Sequence, residues 1–174
     1  GLPGGNILWT FNDSFYGTVD GETRTRIGGK SSFPRNSIMV QDNEIGTPGE
    51  DDLHWMADWI QTDRPGDGTL AGNKLQLIWM GVNTPAGTSY MINKNAALAV
   101  YSLDGRPGDP GYMKLESVDH NWIPDNPYGY GSTLLECGDG HLYLYSSTGN
   151  GQWLGNDPIV ARTKGQDLTS GLEY

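Results

Sequence analysis

Three stretches of the chain repeat one pattern: GGNILWTFND at residues 4–13, GNKLQLIWMG at 72–81 and DGHLYLYSST at 139–148. In each, a glycine-containing turn leads into alternating residues with Leu, Ile, Trp or Tyr at every second place, the period of a strand that buries one face. The glycines that anchor them, Gly5, Gly72 and Gly140, lie 67 and 68 residues apart. A hairpin recurring at that interval restricts the chain to a repeated sheet.

Each anchor is followed by a second strand-like segment, NSIMVQ (36–41), AALAVYS (96–102) and PIVARTK (158–164), and by a third, LHWMADWIQ (53–61), MKLESVD (113–119) and GLEY (171–174). Short segments precede the second and third anchors, GDGTLAG (66–72) and YGSTLLE (130–136). The repeat is therefore a four-stranded up-and-down sheet. One such sheet cannot bury both faces, so copies must pack against each other, as the blades of a β-propeller do. A β-sandwich or jelly roll also supplies many short strands, but neither predicts this recurrence. The expected fold is all-β, a five-bladed type of propeller in a single domain with about three blades represented, at residues 1–61, 66–119 and 128–174. The first unit lacks its innermost strand, and TDRPGDGT (62–69) makes an abrupt step between units. The sequence is thus expected to be part of a longer protein, or to lack intervening segments.

Composition agrees. Gly and Pro supply 26 and 10 of 174 residues, which favours short strands and many turns. With 11 basic and 21 acidic residues the formal charge is −10, which repels nucleic-acid phosphate and anionic lipid. No apolar run approaches the length needed to cross a bilayer, and the first residues, GLPGGN, have no signal-peptide character. Cys137 is the only cysteine, so an intrachain disulfide and a multi-cysteine metal site are excluded, and it reads as a small packed residue.

Chemistry in such a fold belongs where inner strands begin, because polar groups there converge near the axis. That nominates Asp67 and the segment 128–132. Asp13 stands where the other two anchors carry Gly81 and Thr148, so it breaks the pattern; Asn12-Asp13-Ser14 is also good turn chemistry and a glycosylation sequon. The segment SVDHNWIPDNPYGYG (117–131) reads as a loop that gathers Asp119, His120, Trp122, Asp125, Tyr128 and Tyr130. Flat aromatics beside carboxylates and amides suit a sugar, although the same aromatics could pack between sheets. His54 and His141 read as structural, GEDDL (49–53) as a solvated turn, and Trp9, Phe11, Trp55, Trp59 and Trp79 as core between sheets.

With these residues in place, the sequence resembles the five-bladed propellers of carbohydrate-active proteins. ILWTFNDSFYG followed by FPRNSIMVQ is similar to the start of bacterial domains of unknown-function family 5005, and more distantly to family 4185, which includes endo-D-arabinofuranases. GDGT before KLQLIW resembles the second-blade opening of those families and of glycoside hydrolase families 43 and 117; YGSTLLECGDGHLYLYSS with DPIVARTKGQDLTSGLEY resembles their third blade. The resemblance implies a secreted or cell-surface glycosidase acting on a polysaccharide, arabinofuranose- or pentose-containing, with Asp13 and Asp67 as first- and second-blade acids. Family 43 places a Glu at the head of the third inner strand, where this chain has Tyr130-Gly131-Ser132, so the general acid falls to Asp119 or Asp125 or to a blade not represented. Asn12, His120, Trp122, Tyr128 and Tyr130 are the expected sugar-binding residues, and Ca²⁺ on the axis is an expected companion of converging oxygen ligands. A non-catalytic glycan-binding propeller and a structural or surface-assembly protein are the competing expectations.

Overall fold

The computed structural model describes residues 1–12, 16–32, 37–42, 53–57, 63–83, 85–87, 92–149 and 155–174. It is all-β, with two short 3₁₀ turns among the described residues, Pro3–Gly5 and Leu168–Ser170. The first sheet has three strands in the order β1 (Ile7–Phe11), β4 (Ser37–Gln41), β5 (Leu53–Ala57). Between β1 and β4 the chain makes a separate hairpin of β2 (Tyr16–Val19) and β3 (Arg26–Ser32). The sequence pattern does not announce that hairpin. Its turn is held by Asp20, whose carboxylate accepts the amides of Glu22 and Thr23 at 3.0 and 2.7 Å and the Thr23 hydroxyl at 2.8 Å. These donors, the Thr23 amide first, hold the exposed carboxyl below the usual Asp value.

The second sheet runs β6 (Asp63–Ala71), β7 (Lys74–Asn83), β8 (Ile92–Leu103), β9 (Met113–Ile123), each antiparallel to the next. The third runs β10 (Thr133–Glu136), β11 (Leu142–Gly149), β12 (Asn156–Thr163), β13 (Leu172–Glu173) in the same order. Two successive four-stranded meanders therefore answer the repeat. In the first sheet β1 is the counterpart of β7, and no strand precedes it among the described residues.

The inner strands β7 and β8 are buried on both faces, which is why KLQLIWM and AALAVYS are nearly unbroken apolar runs. Leu75, Leu77 and Trp79 of β7 with Ala97, Ala99 and Tyr101 of β8 meet Ile38 and Val40 of the first sheet. Ile78, Ala96 and Leu98 point the other way and meet Leu142, Leu144, Ala161 and Leu168 of the third. Alanines at the centre of β8 let the neighbouring sheets close in. Two polar ties fix the second contact: the Leu168 amide donates to Gln76 Oε1 at 2.8 Å, and Trp122 Nε1 donates to the Leu168 carbonyl at 3.0 Å. Trp79 is fully buried, as its pattern predicts, whereas Trp9 is not core: it is 44% exposed on β1, its Nε1 donating to Gln41 Oε1 at 3.1 Å. Trp55 falls on β5 opposite Met39, and Trp59 lies outside the described residues.

The sheets approach each other most closely along their first strands, β1 to β6 and β6 to β10. Glycine makes the second approach possible. A Cβ on Gly66 would strike the Gly131 carbonyl, and one on Gly131, at φ 114°, would strike Ile78 Cγ2.

Candidate functional site

The β6–β10 seam carries the site. The Asp67 amide donates to the Gly131 carbonyl at 2.7 Å. The Asp67 carboxylate accepts the Gly68 amide at one oxygen and the Leu134 amide at the other, both at 2.8 Å. Two residues further along both strands, the Thr69 hydroxyl donates to Glu136 Oε1 at 2.5 Å. Partners that advance together, Asp67 with Leu134 and Thr69 with Glu136, mean that β6 and β10 lie side by side and run in the same direction. Each bond spans 67 residues, one fewer than the 68 between the anchor glycines of these two sheets, so near-equivalent positions of successive sheets touch here.

Asp67, Thr69 and Glu136 line one cavity of about 420 Å³, closed on its other sides by Leu8 and Thr10 of β1 and by Leu77 of β7. Its size falls in the range of small-molecule sites, and its wall mixes apolar side chains with a few polar ones. Two residues of strand, roughly 7 Å of backbone, separate Asp67 from the Thr69 position that Glu136 reaches. A carboxylate has about four acceptor positions, so two amide donors leave Asp67 with lone pairs for water or a hydroxyl. The Thr69 hydroxyl can donate or accept, and so suits Glu136 in either protonation state.

The other nominated residues are distributed more widely. Asp13 lies outside the described residues; Asn12 is exposed just past the end of β1. Residues 117–123 are not a loop but the second half of β9, the outer strand, because their backbone pairs with β8 while most of their side chains stay in solvent. Asp119 pairs with Leu98, which pairs with Ile78 of β7, so it stands three strand spacings from β6, roughly 14 Å. It caps the Asn121 amide at 2.9 Å instead. That distance is too great for an acid working with Asp67. His120 is exposed on the same strand, its carbonyl held by Asn95 Nδ2 at 2.8 Å, and Trp122 is the intersheet tie already described.

Asp125 is exposed in the turn after β9. That turn is organised by the buried Asn126, whose side chain bonds the Tyr130 carbonyl and amide at 3.0 and 2.9 Å. Tyr130 is core, and burial pushes its hydroxyl above the ordinary tyrosine value. Tyr128, 47% exposed, meets it edge-on with ring centroids 6.3 Å apart, and Tyr174 lies at 5.8 Å on a tilted plane. Of these three rings, Tyr128 and Tyr174 present surface to a ligand. Among the described residues no three His, Cys, Asp or Glu side chains gather as a metal site, so the expected Ca²⁺ finds no ligand set there.

The profile of the domain of unknown function DUF5005 matches residues 1–174. The chain belongs to that family. No curated protein matches the sequence. A crystal structure from Bacteroides ovatus ATCC 8483, described as a "putative hydrolase", is similar at 38% identity with a TM-score of 0.82, over 100% of this chain and 49% of that one. This DUF5005 chain thus spans about half the length of that neighbour. No helix among its described residues is long and apolar enough to cross a membrane.

Glu136 and Thr69 are what sequence reasoning missed. Glu136 sits at the far end of its strand rather than at the head, where the resemblance looks for an acid. The signal was nevertheless present: Glu136 lies within one residue of a repeat interval from Thr69, and strands that meet in parallel bring nearly equivalent residues together.

Proposed function

We propose that this DUF5005 chain is the three-sheet portion of a secreted or cell-surface β-propeller that hydrolyses glycosidic bonds in a polysaccharide, arabinofuranose- or pentose-containing. The propeller reading rests on sheets that converge along β1, β6 and β10 while packing face to face farther out. The hydrolase reading rests on one observation, the delivery of Asp67 and Glu136 into a single cavity by bonds between neighbouring sheets. The Bacteroides ovatus neighbour adds support of a general kind.

Inversion needs carboxyl groups about 6.5 to 9.5 Å apart, so that a water fits between the base and the anomeric carbon, and the two-residue offset of Asp67 and Thr69 along β6 is compatible with that spacing. Asp67, oriented by two fixed amides, takes the proton of that water. Glu136 gives its proton to the departing glycosidic oxygen. The C–O bond to the leaving sugar breaks as the bond to water forms, and the carboxyls exchange protonation states through solvent. Asp13 is a third carboxylate of this site by resemblance, as the first-blade acid.

The test is hydrolysis of an arabinan and xylan panel by wild type, Glu136→Gln and Asp13→Asn, with NMR of the first-released anomer. Glu136→Gln, which keeps an acceptor for Thr69, should lose turnover at least about a hundredfold while remaining folded. Full activity in that variant, or a retained anomeric configuration, removes the Asp67–Glu136 pair. The specific observation favouring a non-catalytic glycan-binding role is that both Asp67 oxygens already serve backbone amides; binding on a glycan array without product release would select it.

A further inference from the structure

A second cavity, of about 240 Å³, adjoins the first and shares Glu136 and Leu70 with it. Its wall brings together Cys137, His141 and Gln166. Gly140, at φ 86°, forms the turn in this wall, with the Gln166 amide nitrogen 3.7 Å from the point where a Gly140 Cβ would sit, an ordinary contact distance. His141 Nδ1 is 2.7 Å from the Thr163 carbonyl. A carbonyl only accepts, so Nδ1 carries the proton, and in the neutral ring Nε2 is left as an acceptor. The wall therefore offers an imidazole acceptor, a primary amide that both donates and accepts, and a carboxyl, with apolar Leu70 and Leu142 beside them. That is a lining for an uncharged, hydroxyl-rich ring.

We infer that this second cavity is the subsite for the leaving-group sugar, so that the substrate is a chain of at least two sugar residues laid across Glu136. The inference rests on the glycosidase reading above. If Glu136 protonates the glycosidic oxygen, the sugar on its far side from Asp67 departs through this cavity, where Gln166 and His141 hold its hydroxyls. Removing one such hydrogen bond weakens oligosaccharide binding about tenfold. An aryl monoglycoside, whose leaving group carries no sugar hydroxyls, is indifferent to the loss.

Cys137 supplies a built-in reporter, being the only thiol in the chain and half-buried in this wall. The experiment measures the rate of maleimide labelling of Cys137, with and without arabinan- or xylan-derived oligosaccharides. It also measures kcat and KM of wild type, Gln166→Ala and His141→Asn on those oligosaccharides and on the corresponding 4-nitrophenyl monoglycoside. Gln166 is exposed, so its variant keeps the fold even if the His141 variant does not. Expected are protection of Cys137 by oligosaccharide, a KM raised about tenfold on oligosaccharide in Gln166→Ala, and an unchanged aryl glycoside rate. If oligosaccharides are hydrolysed while Cys137 labels at its free rate and Gln166→Ala behaves as wild type, the subsite is wrong and the glycosidase reading stands. If no oligosaccharide is cleaved or bound, the glycosidase reading falls and takes the subsite with it.

Discussion

Asp67→Asn separates the structural work of this carboxylate from any chemistry it performs. Asp67 accepts the Gly68 and Leu134 amides at 2.8 Å each, one on either oxygen. The variant keeps one acceptor and replaces the other with an NH₂ that cannot accept, so one amide loses its partner. A hydrogen bond to a charged group contributes about 1.5 to 3 kcal/mol, and the half-buried setting puts the loss near 2 kcal/mol. For a chain of 174 residues that corresponds to a fall in Tm of about 4 to 8 °C. Thermal and urea melts give the magnitude, and hydrogen exchange at the Leu134 amide gives the location, because that proton should lose protection while strands away from the seam keep theirs. Glu136→Gln is the control: it retains the Thr69 acceptor and should shift stability by less than about 0.5 kcal/mol. If Asp67→Asn melts within about 1 °C of wild type and Leu134 keeps its protection, the carboxylate does not clamp β6 to β10, and the alignment that brings Glu136 into the cavity has lost its support.

Leu144→Ala, at a fully buried position between the second and third sheets, should cost about 2 to 5 kcal/mol in urea denaturation. Gly131→Ala should be worse than its size suggests, because the new methyl meets Ile78 in a backbone conformation unfavourable to alanine; truncating Ile78 alongside it should recover part of the loss, as a double-mutant cycle would show. Asp139 is held below its ordinary value of 3.8, first by the Tyr143 hydroxyl at 2.7 Å and also by the His141 amide at 3.1 Å. A depressed carboxyl stabilises above its unfolded pKa and loses that contribution as pH falls through the folded one, so Asp139→Asn should be slightly less stable than wild type at neutral pH, with a flatter acid limb below about pH 4 and the difference vanishing in acid.

What the sequence disclosed depended on how completely each strand is buried. β7 and β8 lie between two other sheets, and their apolar runs name both their position and their partners. The outer strand β9 has both faces in solvent along most of its length, so the strand is legible only to Asp119, and His120 and Asn121 look like loop residues although they lie on it. The β2–β3 hairpin was hidden for a related reason: GTVDGETRTRIGGKSS has no apolar alternation, and only the Asp-Gly turn at 20–21 marks it. Burial leaves a pattern in composition; backbone pairing at an edge leaves almost none.

The site was legible only through the repeat. Read along one strand, Glu136 is a polar residue near a turn, and Thr69 is an ordinary strand residue on the rim of a hairpin. Read across strands that run in parallel, each is within one residue of a repeat interval from the other, and so are Asp67 and Leu134. Parallel alignment of successive first strands converts a sequence interval into a contact, so a carboxylate at any position of one copy can meet a side chain at the matching position of the next. The acid therefore need not stand at the strand head: a Glu partway along β10 reaches the cavity as well as one at its start, provided glycines at 66 and 131 let the strands close. A chain of this family with bulky residues at both glycine positions should hold β6 and β10 apart, and lose the Thr69–Glu136 bond before any catalytic residue is changed.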